Sequence, residues 1–405
     1  MIRPATDRPR AARVAVSALF CINGALIASF LPRLPAVKAE LDLTNAALGA
    51  GIAFGPAGAL LASSVAGLLV ARFGSGRLAV AASVAYGLAL PLVGLAPAWA
   101  AFAAAVFLFG VCDGVADVAQ NAHGLRVQRA YGRSVINGFH AWWSIGGVIG
   151  GVAAAVAAGL RVPLTVHLGI AGGILAIAAL IAGRRTLPGP DPGADHGDLA
   201  QPVPTRIADS PQETAAGNGR RIRPAVFTLV GVAGLTLLAA VIEDIPGSWG
   251  AVYLRESLGA APGLAGLAFA AFTAGMTAGR LVADRAVDRW GHVAVVRTGG
   301  AVAAAGLVGA LVIGTPWAGL LGFLLVGVGT APGFPALFHA AGHRRGVRPA
   351  DGVALISWAA RAGFLLAPPV VGVVADATSL TWALGLGVLA AAGVAAGASA
   401  LRPRA

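Results

Sequence analysis

The chain has 405 residues, of which 57% are hydrophobic and only 11% charged, a balance that excludes an ordinary water-soluble domain with a charged surface. Its net charge of +12 would suit a nucleic-acid partner, but the arginines sit in short stretches between apolar runs and build no basic face, which sets nucleic acid aside. Cys21 and Cys112 both lie inside apolar runs and give neither a disulfide framework nor a metal-ligand spacing, so no metal or cofactor is expected.

A hydrocarbon core about 30 Å thick takes roughly 20 apolar residues per helix. That ruler predicts twelve spans, at 13–34, 46–71, 78–96, 100–123, 135–159, 163–183, 225–247, 263–283, 293–313, 318–340, 352–375 and 380–401. The expectation is an all-α, multi-pass integral membrane protein. No small-residue cleavage site follows the basic start MIRPATDRPRAAR before Pro32, so the first run reads as a retained span. Most of the arginines, including Arg72, Arg77, Arg126, Arg129, Arg285 and Arg289, fall in segments on one side, while Arg33, Lys38, Arg161 and Arg255 fall on the other. The positive-inside rule then puts both termini in the cytoplasm and the protein in the cytoplasmic (inner) membrane.

The first span offers Asn23, beside Gly24, as a cavity-lining residue. The fourth ends in DGVADVAQNAHG. On a helix, positions 113, 117 and 121 advance about 40° each and Gln120 falls within the same arc of about 100°, so Asp113, Asp117, Gln120 and Asn121 share a face. An acid at bilayer depth costs roughly 2.5–3.5 kcal/mol and nearly always faces a cavity or a partner. Desolvation favours the neutral carboxyl, which makes Asp117 and Asp113 candidate proton-coupling sites; the alternatives are a structural ion pair or, for Asp117, a place near the inner interface. The fifth span, with FHAWWSIGGVIGG, sets His140 and Ser144 one turn apart, with Trp143 able to stack on a ligand and the glycines allowing close helix packing.

Residues 184–223 are rich in Pro, Gly, Asp and Arg and read as a disordered cytoplasmic linker between a bundle over 1–183 and a second over 224–405. A shift of 217 residues superposes the two without a gap, laying Gly49 on Gly266, Gly58 on Gly275, Arg72 on Arg289, Gly74 on Gly291, Gly110 on Gly327 and Gly146 on Gly363. This is the mark of two pseudo-symmetric six-helix halves. The second half carries no acids at the positions matching Asp113 and Asp117, which are Thr330 and Phe334. Instead Glu243 and Asp244 precede Pro246 in the seventh span, with Glu243 either a deep coupling acid or a shallow gate residue. Arg361 lies about 15 Å past Asp351, too deep to reach water easily. Its expected partner is Glu243 or Asp113, with a substrate anion second and a permanent structural pair third.

Over essentially its whole length the sequence resembles Major Facilitator Superfamily transporters. GLLVARFGSGR, Gly67 to Arg77, is similar to that family's signature loop, with Ala71 where an Asp usually stands, and DRAVDRWGH keeps the acid as Asp288. The resemblance implies a latch at the inner helix ends made by Gly67, Arg72, Gly74, Arg77, Asp284, Asp288, Arg289 and Gly291; simple positive-inside anchoring is the alternative. DVAQNAHG, FHAWWSIGGVIGG, GFPALFHAAG and APPVVG are similar to a bacterial subgroup related to fucose:proton symporters. The Gly-Pro signature of many family exporters lacks its proline in the fifth span.

The resemblance implies a secondary transporter, not an enzyme, working as a monomer by alternating access on a small polar or ionisable solute with protons. No catalytic triad, zinc spacing or phosphate loop lies outside the spans. Proton-driven efflux of an amphipathic drug, a proton-independent uniporter and a non-transporting membrane sensor are the alternatives.

Overall fold

A computed structural model describes residues 7–189, 219–343 and 347–402. Most of the expected linker, and the arginines at 344 and 345, lie outside the described residues. Among those described, the structure is helical throughout, with every long helix apolar enough to cross a membrane. The helices are α1 (Asp7–Phe30), α2 (Asn45–Phe73), α3 (Ser75–Gly94), α4 (Trp99–Tyr131), α5 (Ile136–Gly159), α6 (Leu164–Gly183) and α7 (Gly219–Ser248). The stretch Pro262–Ile313 folds over Gly291 into two crossings, α8 (262–290) and α9 (292–313). Then come α10 (Pro316–Thr330), α11 (Pro349–Ala377) and α12 (Leu380–Gly397), which makes twelve crossings among the described residues.

Several spans differ from their predicted course, and the differences matter for depth. The fourth helix runs to Tyr131 rather than 123, so Asp117 lies about 21 Å from its inner end. Pro246 does not end the seventh helix: α7 passes through it to Ser248, and Gly250–Val252 and Tyr253–Ser257 continue the helical path. The tenth crossing is broken at Ala331 and Pro332 and resumes over Gly333–Gly342.

The repeat holds in the backbone. Gly74 has φ 82° and ψ 142° where α2 turns into α3, and Gly291, its equivalent, has φ 77° and ψ 161° where α8 turns into α9. Both values lie where only glycine is at ease. It also holds in packing. A Cβ on Gly110 would strike the Gly55 carbonyl, and one on Gly327 would strike the carbonyl of Phe272, the position equivalent to Gly55. Gly58 meets the Phe107 carbonyl as Gly275 meets that of Leu324. These contacts set α2 against α4 and α8 against α10 at backbone distance, as small residues do between helices in lipid.

The two halves join through α2 with α11 and α5 with α8. Gly49 packs on Pro368 and Pro369, Gly372 on Asn45, and Gly263 on Gly159, all toward one end of the molecule. At that end Lys38 Nζ lies 2.5 Å from Glu256 Oε2 and also donates to Asn45 Oδ1. Asp376 accepts from the backbone N–H groups of Asn45 and Ala46 at 3.0 and 2.8 Å, capping α2 from the opposite half. At the ends carrying Gly74 and Gly291 no ion pair between the halves is found among the described residues. Among the described residues none of Arg72, Arg77, Asp284, Asp288 and Arg289 forms an ion pair; Arg72 lies over Phe73 and Arg289 over Trp290, each at 5.6 Å. Gly67 has open space around it.

Candidate functional site

The polar residues of the crossings gather at mid-height from seven helices. Asn23 of α1 is the hinge of one group. Its Nδ2 donates to Asp113 Oδ1 at 2.8 Å, and its Oδ1 accepts from Trp143 Nε1 at 2.7 Å, so one amide ties α4 to α5. The arrangement follows from Gly24, which lies so close to the Trp143 carbonyl that no side chain would fit there. Tyr86 of α3, almost fully buried, brings its hydroxyl beside Asp113. Asp117, one turn farther, accepts from Asn121 Nδ2 at 2.9 Å and is reached by water.

A second group joins the halves. Arg280 of α8 donates to Ser144 Oγ of α5 at 2.9 Å, and the guanidinium faces Glu243 of α7 and His140. His140 sets its ring edge-on to Phe20 at 5.2 Å. Glu243 is thereby deep, because Arg280 lies about 27 Å along α8 from its start at Pro262. Its neighbour Asp244 accepts from Ser248 at 2.8 Å on Oδ1, while Oδ2 is buried without a partner.

Arg361 lies about 18 Å into α11 from Pro349. It is exposed, makes no hydrogen bond or ion pair among the described residues, and its charge acts on Asp117 of the other half. Two expectations are corrected here. Arg361 is set against Asp117 rather than Glu243 or Asp113. Gln120 does not line the cavity: it is 2% exposed and donates to Ser83 Oγ of α3 at 3.0 Å. An arc of about 100° is wide enough for its two edges to face different neighbours, α3 on one side and the gap on the other.

Arg280 is absent from the sequence-derived set, as are Tyr86 and the outer clamp of Lys38, Glu256 and Asp376. The eighth span is predicted to end at 283, which leaves Arg280 three residues from a helix end; in the structure α8 continues to 290 and Arg280 is a mid-membrane cation. Among the described residues no cluster fit to hold a metal ion is found. His123, at the end of the polar run, is buried and bonds to Ser75 Oγ at 2.9 Å, tying α4 to α3 at the inner end.

Residues 232–405 match the sequence profile of the Major Facilitator Superfamily. An uncharacterised MFS-type transporter of Yersinia pestis is 32% identical over 393 residues, 96% of this chain and 95% of that one. Membrane protein MosC of Rhizobium meliloti is 28% identical over 370 residues, 91% of this chain and 85% of its own. Among solved structures, nucleoside transporter NupG superposes with a TM-score of 0.70 at 15% identity, covering 96% of this chain and 98% of its own. FucP in the outward conformation gives 0.59 at 17% identity, covering 97% and 99%. These two share the fold. With nearly a third of its residues identical to a transporter matched end to end, and twelve crossings in two related halves, the chain belongs to the Major Facilitator Superfamily of membrane transporters.

Proposed function

We propose that the protein moves a small polar or ionisable solute across the cytoplasmic membrane by alternating access, coupled to a proton, with both termini inside the cell. The observation that carries this reading is the meeting of ionisable groups from both halves at mid-membrane: Arg361 against Asp117, and Arg280 bonded to Ser144 and facing Glu243. Charge at that depth is expensive and marks a solute or ion pathway. The clamp at the Lys38 end, and the absence among the described residues of an ion pair joining the halves at the Gly74 and Gly291 ends, fit a transporter closed outside and open to the cytoplasm.

Asp113 is the acid we assign to the coupled proton. It has Asn23 and Tyr86 about it, Asp117 near it and no arginine facing it, so a proton is its available means of neutralisation. Asp117 and Glu243 instead face arginines. A change in the protonation of Asp113 reaches Trp143 of α5 through one amide, and α5 is a helix on which the halves rock.

A thermal-melting screen of purified protein against metabolites and amphipathic drugs at two pH values tests this. A ligand that binds only the folded state raises the melting temperature with concentration. The expected result is stabilisation by a polar compound whose affinity changes with pH, by up to about tenfold per unit for one linked proton, with Asp113→Asn removing that dependence. Tighter binding in acid means co-transport, weaker binding means exchange. Stabilisation by amphipathic drugs alone, with no pH dependence, would transfer the assignment to efflux.

A further inference from the structure

Arg361 and Asp117 stand on opposite halves, both exposed, both near the middle of their helices, interacting electrostatically but not closed into an ion pair. One Asp117 oxygen is occupied by Asn121, and Arg361 donates to nothing among the described residues. We propose that the solute is a small zwitterion, whose carboxylate is held by Arg361 of α11 and whose ammonium group is held by Asp117 of α4. This deepens, and rests on, the transporter reading above.

Charge complementarity at low dielectric selects such a solute. A guanidinium presents a rigid fork of N–H donors matched to a carboxylate, and Arg361 has that fork free. A simple anion would satisfy it but would be repelled by Asp117. A simple cation would meet the reverse. A neutral polyol would fill the gap and strip water from both charges while compensating neither, which costs more than it returns. A solute with both charges on a short spacer compensates each with its own partner. It also draws α4 toward α11, and so the two halves toward each other, which makes occupancy favour closure of the open end. Arg280 does not compete for the carboxylate, because it is already engaged with Ser144 and faced by Glu243.

The test uses the full-length protein in detergent and melting curves with five probes at fixed pH and ionic strength. Glycine betaine and 4-aminobutanoate carry both charges, butanoate and butylammonium carry one each, and glucose carries none. Wild type is expected to be stabilised by at least one of the two zwitterions and by none of the others. The decisive variants change the preference rather than merely lose it. Asp117→Asn removes the group that repels anions, so butanoate becomes a ligand, while zwitterion binding weakens by about tenfold or more. Arg361→Gln does the converse and admits butylammonium. Because each variant gains a ligand, the outcome does not depend on a loss that misfolding would also produce. Stabilisation of wild type by glucose or a singly charged probe, no response to either zwitterion, or variants whose charge preference stays that of wild type overturns the assignment. Proton-coupled flux of whichever probe binds, measured in proteoliposomes, leaves the transporter reading standing even then; absence of flux with a bound zwitterion would remove that reading alone.

Discussion

Asn23 satisfies two groups that have few other options at membrane depth, the Asp113 carboxyl and the Trp143 indole N–H. Asn23→Ala leaves both without it, at about 1–3 kcal/mol for each group that finds no water, and should lower the melting temperature of the purified protein measurably. Arg280 and Glu243 make a sharper test. Arg280→Gln leaves Glu243 facing no cation, whereas Arg280→Gln with Glu243→Gln leaves no charge at all. The double variant is therefore expected to melt above the single one, with transport lost in both; an additive cycle would show that the two groups do not interact. Which residue types sit at depth was legible in the sequence, since acids and a histidine in apolar runs are conspicuous. Their partners were not. Helical spacing gives direction to within an arc but not the neighbour at each edge of it, which is why Gln120 turns out to serve Ser83. Arg280 was hidden by a helix end set seven residues short, since an arginine at a helix end needs no partner.

Glycines at helix crossings fix how near the helices come. Gly110→Ala and Gly327→Ala occupy equivalent places and should each cost about 1–3 kcal/mol, because the added methyl meets a backbone carbonyl that cannot move independently of its helix. Gly169→Ala, with nothing within 4 Å, should be neutral or slightly stabilising, and melting curves of the three variants separate packing glycines from incidental ones. The sequence repeat made this pairing legible, because an ungapped 217-residue shift carries helix contacts as well as residues. It could not show the break at Pro332 or the passage of α7 through Pro246, since proline's effect in a membrane helix depends on whether neighbours satisfy the freed backbone groups. At the outer clamp, Asp376 caps two N–H groups of α2 across the interface. Asp376→Asn should weaken that cap by about 0.5–2 kcal/mol and shift molecules toward the outward-open form, seen as faster labelling of a cysteine at Ser257 by a membrane-impermeant thiol reagent. The Lys38–Glu256 pair should matter less, about 0.2–1 kcal/mol, because solvent reaches it through Glu256, whose side chain is 39% exposed against 13% for Lys38.

At the scale of the whole molecule, the two halves touch along α2 with α11 and α5 with α8, held at one end by the Lys38–Glu256 pair and Asp376, with no ion pair between the halves at the other among the described residues. The twelve crossings and the two related halves follow from hydropathy and repeat alone. The conformational state does not, because one sequence must specify both forms with nearly equal stability, and the clamp groups Lys38, Glu256 and Asp376 look like ordinary polar residues at helix ends until the fold brings them together. The account stands on the coupling of Asp113 to movement of one half against the other. Its most direct measurement is a pair of spin-label distances by double electron–electron resonance in a cysteine-free background lacking Cys21 and Cys112. One pair is placed at Ala39 and Ser257 beside the clamp, the other at Arg133 and Arg348 at the opposite end, and both are recorded in bilayers at acidic and alkaline pH. The account predicts that one distance lengthens as the other shortens when the pH changes, and that Asp113→Asn holds both at a single value. Distances that stay fixed in wild type, move together, or still respond to pH in Asp113→Asn would contradict it.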